Sequence, residues 1–295
     1  MRTLFFLLLM TSFSVKAITI GAYNIRNFDY DERYRIRTDK VALSSILTDL
    51  KFDVLSVEEI ANTQEFENFV ANNLPGYETE LSRCGGRGGH RLGFVFNKAK
   101  VELLAFNEDL SVTNPGGEIG CEVSSRPLAI GLFRIKATGQ KFYGITAHLK
   151  AGSKGDAVEK RHLQLDIIRD LVNELKQKTG VKDYFVAGDL NTTLYYDNGA
   201  DAFALKKFAK ATSMKVLTES LKCSAYWWGG TDDGIETPSL LDHIIVSPGL
   251  IKNRAVVPKA GGHCQKVNCR EASQNDLGIS YKGVSDHCPV TATIQ

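Results

Sequence analysis

Short apolar runs of β-forming residues recur from one end of the chain to the other, and several stop abruptly on a polar side chain suited to metal or phosphate chemistry. ITIGAY runs into Asn24, DVLSV into Glu58 and Glu59, and FYGITA into His148. YFVAG runs into Asp189, with Asn191 two residues on, and Ser285, Asp286 and His287 abut the run PVTATI. Buried strands that release carboxylates, amides and imidazoles at their ends are how a rigid scaffold assembles one convergent site. Oxygen donors of this kind suit a hard cation such as Mg²⁺, Mn²⁺ or Ca²⁺. The histidines suit proton transfer near neutral pH.

Helical patterns alternate with these strands. From Thr38 the apolar residues Val41, Leu43, Ile46, Leu47 and Leu50 recur at helical spacing, and Thr63 opens a second helix carrying Phe66, Phe69 and Val70. A long helix is expected over 157–178, with Leu165, Ile168, Leu171, Val172 and Leu175 as its stripe and Gly180 as its stop. Another covers 202–211. RLGFVFN (91–97), LAIGLFRI (128–135) and LDHIIVS (241–247) read as strands. Strands outnumber helices and several are joined by short turns, which favours one domain with helices packed outside two β-sheets. A doubly wound sheet is the alternative, but no GxGxxG turn stands at a strand–helix junction. The CGGRGG segment (84–89) lies between strands, as a surface loop carrying Arg87. A plain hairpin connection and a substrate-binding loop fit it equally.

The first 17 residues read as a signal peptide: a positive start, a short apolar run, then small residues ending at Ala17. Loss of Arg2 and Lys16 with that segment brings the 36 basic residues level with the 34 acidic ones. Bulk charge therefore gives no support for a polyanionic substrate, and attraction for phosphate has to come from local clusters or a bound metal. Six cysteines in an exported chain suggest disulfides. Cys264 and Cys269 close a small loop and are the first expected pair. Cys84 and Cys121 are the second, and Cys288 is expected as a buried free thiol. A zinc site from His263, Cys264 and Cys269 fits no common zinc spacing.

The segments AYNIRNF (22–28), DVLSVEEI (53–60), SSRP (124–127), ITAHLKA (145–151), AGDLNTT (187–193), LLDHIIVS (240–247) and SDHCPV (285–290) form an ordered set. On these motifs the chain resembles the endonuclease/exonuclease/phosphatase superfamily, close to its deoxyribonuclease I-like branch. The resemblance spans nearly the whole chain after residue 17. It implies an α/β fold, a four-layer α/β/β/α sandwich of two mixed, mainly antiparallel β-sheets flanked by helices. A single catalytic domain over residues 18–295 would hydrolyse phosphodiesters by in-line attack of water, with a divalent cation, Mg²⁺ first and Mn²⁺ or Ca²⁺ as alternatives.

The resemblance also implies site residues. Glu59 would be the main metal ligand, with Asn24 beside it and Asp286 completing the metal set. Glu58-Glu59 stands here for the family's Gln-Glu, and Glu59 is chosen by alignment of the following Ile60. Asp242 sits in a strand register from which it can accept a hydrogen bond from His287. Such a carboxylate fixes the imidazole tautomer and raises its basicity. His287 is then the general base, and His148 would contact the scissile phosphate or protonate the leaving oxygen, with the reverse assignment open. Asp189 and Asn191 would hold the attacking water and the phosphate, although their spacing alone also suits an Asx-turn. Arg126 matches a phosphate-contacting arginine, and Arg87 and Lys150 are further expected substrate contacts. The family branch places an acid behind its first histidine. Here Arg83 occupies that place, which leaves Glu80, another acid, or a differently tuned His148.

Arg26, Arg83, Arg87, Arg91, Arg126, Lys150 and Lys154 favour a secreted or periplasmic nuclease acting on DNA, with RNA as a further substrate, and with little sequence preference. A phospholipid-cleaving phosphodiesterase resembling sphingomyelinase is the alternative. Its support is Tyr226, Trp227 and Trp228, which either meet an interface or, as first expected, pack in the core or under a loop. No long apolar hairpin offers membrane insertion, so a monomer without stable membrane association is expected. A catalytically dead binding protein would not need the full set of acids and histidines.

Overall fold

Two six-stranded sheets lie face to face in the computed structural model, which describes residues 17–33, 35–123, 125–252 and 254–295. The expected signal peptide, apart from Ala17, lies outside the described residues. One sheet runs Val256–Ala260, Val290–Ile294, Ile18–Phe28, Val54–Ile60, Arg91–Asn97, Tyr77–Leu81. The other runs Lys215–Val216, Asp242–Val246, Tyr184–Asp189, Lys141–Thr146, Leu128–Ile135, Val101–Asp109. In each sheet the central pair is parallel, Ile18–Phe28 with Val54–Ile60 and Lys141–Thr146 with Tyr184–Asp189, and the remaining pairs are antiparallel. A parallel pair needs a crossover. Helices Lys40–Leu50 and Gly155–Thr179 provide the two crossovers.

Three apolar layers hold these elements together. Between the sheets, Ile20, Ala22 and Phe94 meet Phe133, Phe185 and Ile244. Outside the first sheet, helices Lys40–Leu50 and Thr63–Asn73 set Leu43, Leu47, Phe66 and Phe69 on Tyr23, Leu55 and Val57. Outside the second, helices Gly155–Thr179 and Ala200–Thr212 set Ile168, Val172, Leu205 and Phe208 on Ile145, Tyr184 and Val186. The result is the expected four-layer α/β/β/α sandwich. Each large side chain removed from water in these layers contributes roughly 1.5–3 kcal/mol.

Local chemistry sets the helix ends. Asp39 accepts from the N–H groups of Val41 and Ala42, so the first helix starts at Lys40 and Thr38 stays outside it. Val41, placed in the apolar stripe by periodicity, is exposed. Gly180 ends the long helix at φ 70°, a conformation that favours glycine. Among the described residues no helix is long and apolar enough to cross a membrane.

The C-terminal end carries a small sheet of Ala225–Trp227, Ile235–Ser239 and Ala272–Ser273. Disulfides join Cys84 to Cys121, Cys223 to Cys269 and Cys264 to Cys288. The first matches expectation; the pairing of Cys264 with Cys269 and the free thiol at Cys288 do not. Cys264 lies on the helix Gly262–Val267. The helix ends at Val267, and the left-handed turn at Asn268 and Cys269 leaves Cys269 bonded to Cys223, while Cys288 Sγ approaches the Cys264 N–H at 3.0 Å. With these sulfurs oxidised, the zinc reading of His263, Cys264 and Cys269 is also removed. Tyr226 is buried, but Trp227 and Trp228 are 46% and 57% exposed, so the expectation that they pack inside is corrected.

Candidate active site

At the same edge of both sheets the central parallel strands end together. Gly188 makes the close approach possible: at φ 134°, a Cβ on it would lie 2.2 Å from the Ala147 carbonyl oxygen. The strand Val54–Ile60 shifts register between Val57 and Ile60, and Ile18–Phe28 shifts between Asn24 and Phe28. Such irregularities re-aim side chains next to functional sites. Here they separate two neighbouring acids. Glu58 stays fully buried, with neither carboxyl oxygen hydrogen-bonded among the described residues. Glu59, at φ 61°, turns its carboxylate out to Asn24 and His148.

Asp189 is the hub. Its Oδ2 accepts from Asn24 Nδ2 at 3.1 Å and lies 3.2 Å from His148 Nε2 and 3.8 Å from His287 Nε2. Its Oδ1 accepts from the Asn191 N–H at 2.9 Å, which closes an Asx-turn. Asn191 Nδ2 donates to the Leu149 carbonyl at 3.1 Å, tying the loop after His148 to the loop after Asp189. Asn24 Nδ2 also donates to Glu59 Oε1 at 3.2 Å, while its Oδ1 accepts from the Arg26 N–H. Its amide therefore bridges two carboxylates. His287 Nδ1 lies 2.9 Å from Asp242 Oδ2, which in turn accepts from Ser224 Oγ at 2.7 Å. Ser285 Oγ donates to the Asn24 carbonyl and accepts from the His287 N–H, joining the last segment to the first strand.

Burial and charge tune these groups in opposite directions. For His287, desolvation opposes the charged ring, but Asp242 and Asp189 outweigh it, and its pKa is raised well above the ordinary value. His148 moves the other way: burial, then Arg126, His287 and His90, hold its pKa well below ordinary. Burial also pushes Asp189 up to about 7, against the lowering effect of His287. Glu58 is driven well above the carboxylate range by burial, with Asp242 and Asp189 adding to the effect. Burial raises Asp286 as well, His287 and Arg26 oppose this, and Glu59 reinforces it.

Not every expected residue joins the cluster. Arg126 is half-buried, with Nη2 3.3 Å from His90 Nδ1, and its charge reaches His148. Arg87 is exposed and makes no contact with the cluster among the described residues. Lys150 is two residues beyond His148, but its Nζ turns back to the Ala151 carbonyl. Of the alternatives for the partner of His148, no acid takes the place among the described residues: His148 Nδ1 has no hydrogen-bond partner, and Glu80 occupies an exposed position of its strand. His90, Ser224 and Ser285 were not assigned roles from sequence. Nor was Arg161, whose fully buried guanidinium binds Asp201, Thr193 Oγ1 and the carbonyls of Lys150 and Gly152. Only spatial neighbours reveal them, because a serine beside a cysteine or an arginine on a charged helix carries no signal of its own.

The donor set fits a hard divalent cation. Asp189, Asp242 and His287 set ligand atoms within 4.8 Å of one another, Glu59 joins them through the shared Asn24 amide, and Asp286 precedes His287 in the same segment. Hard carboxylates in this relation suit an oxygen-ligated ion that keeps several waters.

Fold and site together define a phosphoesterase-type hydrolase. The model of the Endonuclease/Exonuclease/phosphatase family matches residues 21–287, and the chain belongs to that family. No curated protein matches the sequence. Among solved structures, an endonuclease/exonuclease/phosphatase from Bacteroides vulgatus is similar at 20% identity and TM-score 0.64, over 95% of this chain and 99% of that one. The Bacteroides thetaiotaomicron mannosyl-6-phosphatase Bt3783 is similar at 16% identity and TM-score 0.62, over 94% and 100%. TDP2 from D. rerio, complexed with a single-strand DNA product, is similar at 18% identity and TM-score 0.58, over 94% and 98%. Identities this low establish the shared fold.

Proposed function

We propose that the protein is an exported, metal-dependent phosphodiesterase that hydrolyses the backbone of DNA, and of RNA as a further substrate, with little sequence specificity. One observation carries this reading: Asp189 lies between the Nε2 atoms of His148 and His287, while Asp242 holds the far side of His287. Glu59 and Asp286 would hold the cation, with Asn24 fixing Glu59. When bound, the cation supplies neutralisation of charge on the transition state. Asp242 keeps the proton of neutral His287 on Nδ1, which leaves Nε2 to accept a proton from the attacking water. Asp189 and Asn191 orient that water and the phosphate. His148 and Arg126 offer donors to phosphate oxygens from the side opposite Asp242 in the hydrogen-bond chain. The fold's occurrence in TDP2 with single-strand DNA supports a nucleic-acid substrate. The three disulfides and the N-terminal sequence support export.

The test incubates purified protein with plasmid DNA, RNA and sphingomyelin vesicles, each with Mg²⁺ or EDTA. Metal-dependent nicking with the lipid untouched is the expected result. Lipid turnover without nicking would overturn the nucleic-acid assignment, and inertness on all three would overturn the enzymatic one.

A further inference from the structure

Beside the catalytic cluster a cavity of about 750 Å³ is walled by Arg26, Arg33, Trp227, Trp228, Lys282 and Asp286. Asp286 connects it to the proposed cation site. The tryptophans are tied to that site through backbone: Ala225 bridges to His287, and the Tyr226 N–H donates to the Asp286 carbonyl at 2.9 Å. Trp227 lies two residues further along the same strand, a step of roughly 7 Å, comparable to one nucleotide. Disulfide Cys223–Cys269 precedes this strand and Cys264–Cys288 follows His287, so both ends of the platform are covalently anchored.

The two indoles meet edge to face at 6.5 Å and 85°. Large aromatic rings left this exposed in a concave wall cost solvation unless something covers them. Apart from Ile36, the rest of the lining carries polar or charged groups, including the phenols of Tyr226 and Tyr281. Gln274 Nε2 donates to buried Glu236 Oε1 at 2.7 Å, placing an amide and a carboxylate in the same cavity. A bilayer would meet a convex apolar surface; this is a recess combining π-faces, cations and base-edge partners. That combination matches an unpaired nucleobase and its flanking phosphate.

We propose that this cleft is the subsite for an unpaired nucleobase next to the scissile phosphate, stacked on Trp227 and Trp228, so that single-stranded or locally opened nucleic acid is preferred to intact duplex. The proposal rests on the phosphodiesterase reading for the position of the scissile phosphate. A paired base is already stacked within its duplex and has no free face to offer the indoles.

The chain contains two tryptophans, both in this wall, so tryptophan emission, excited to the red of tyrosine absorption, reports on the cleft. In His287→Ala protein with Mg²⁺, a single-stranded oligonucleotide should quench or shift that emission. A blunt duplex and an abasic strand of equal length and charge should not. Trp227→Ala/Trp228→Ala should weaken single-strand binding about tenfold by anisotropy of a labelled oligonucleotide, and Trp227→Phe/Trp228→Phe should recover most of it. Thermal melts check that each variant folds; both side chains are exposed, so little change is expected. Equal signals from duplex, abasic and single strands would overturn the subsite, as would a response to sphingomyelin vesicles but not to oligonucleotide. Wild-type nicking without a base-dependent signal overturns the subsite alone. A base-dependent signal in a wild-type protein that never hydrolyses DNA keeps the subsite and overturns the hydrolytic reading.

Discussion

Neighbouring acids Glu58 and Glu59 differ in fate because a strand irregularity sends one side chain under the site and the other into it. Among the described residues Glu58 has no hydrogen-bond donor, and burial, with Asp242 and Asp189, outweighs the lowering effect of His287, so its pKa rises well above 4.5. The neutral acid then resembles the amide that the family carries at this place. The folded state keeps that proton while the unfolded chain loses it above about pH 4.5, so stability falls as pH rises through that value towards the folded pKa. Glu58→Gln cannot ionise. In EDTA its melting temperature is expected to match wild type near pH 4 and to exceed it at pH 8, by scanning calorimetry. For His287 the raised pKa has a kinetic meaning. A general base acts when neutral, so activity should climb with pH along a limb above the ordinary histidine value of 6.5. Asp242→Asn should move that limb to lower pH, and both it and His287→Ala should lower kcat on the order of 10²–10⁴. The motifs pointed to Glu59 and His287 directly, because their types and order are distinctive. Alignment of Ile60 chose Glu59 over Glu58; the backbone angle at Glu59 that turns its carboxylate outward is what periodicity cannot supply.

Among the elements, the long strands and helices were legible from their apolar spacing. Thr63–Asn73, Arg91–Asn97 and Leu128–Ile135 fall where the pattern puts them. The edge strand Tyr77–Leu81 was not foreseen, because its residues alternate between half-buried and exposed and carry two glutamates. The loops after His148 and Asp189 were legible only as motifs. Their brace is Arg161, on a helix whose charges look solvent-facing in sequence. Its guanidinium and Asp201 are both fully buried, and it also holds the carbonyls of Lys150 and Gly152. Arg161→Met would leave buried Asp201 with only His162 Nε2 and the Leu194 N–H as partners. A loss of about 3–5 kcal/mol is expected in urea unfolding, with a fall in kcat in the protein that remains folded because both strand-end loops lose their shared anchor. Retention of wild-type stability would show that the pair is dispensable.

Across the whole molecule, the two sheets converge on one edge, and the disulfides gather mostly where the C-terminal segment closes that edge. Of the cysteine pairs only Cys84–Cys121 was legible, since proximity in sequence favoured Cys264 with Cys269 while the fold brings Cys288 to Cys264 and Cys223 to Cys269. Cys264–Cys288 follows directly on His287, so reduction should loosen the base as well as the fold. A stability loss of roughly 2–4 kcal/mol per bond is expected, read as a lower melting temperature with reductant, accompanied by loss of activity. The most direct measurement for the molecule as a whole is the rate of plasmid nicking against Mg²⁺ concentration, for wild type and for Glu59→Gln/Asp286→Asn. Saturable, EDTA-abolished nicking by wild type and its loss at every Mg²⁺ concentration in the variant are the expected results. Nicking by wild type in EDTA, or a variant as fast as wild type, would contradict a cation held by these two carboxylates.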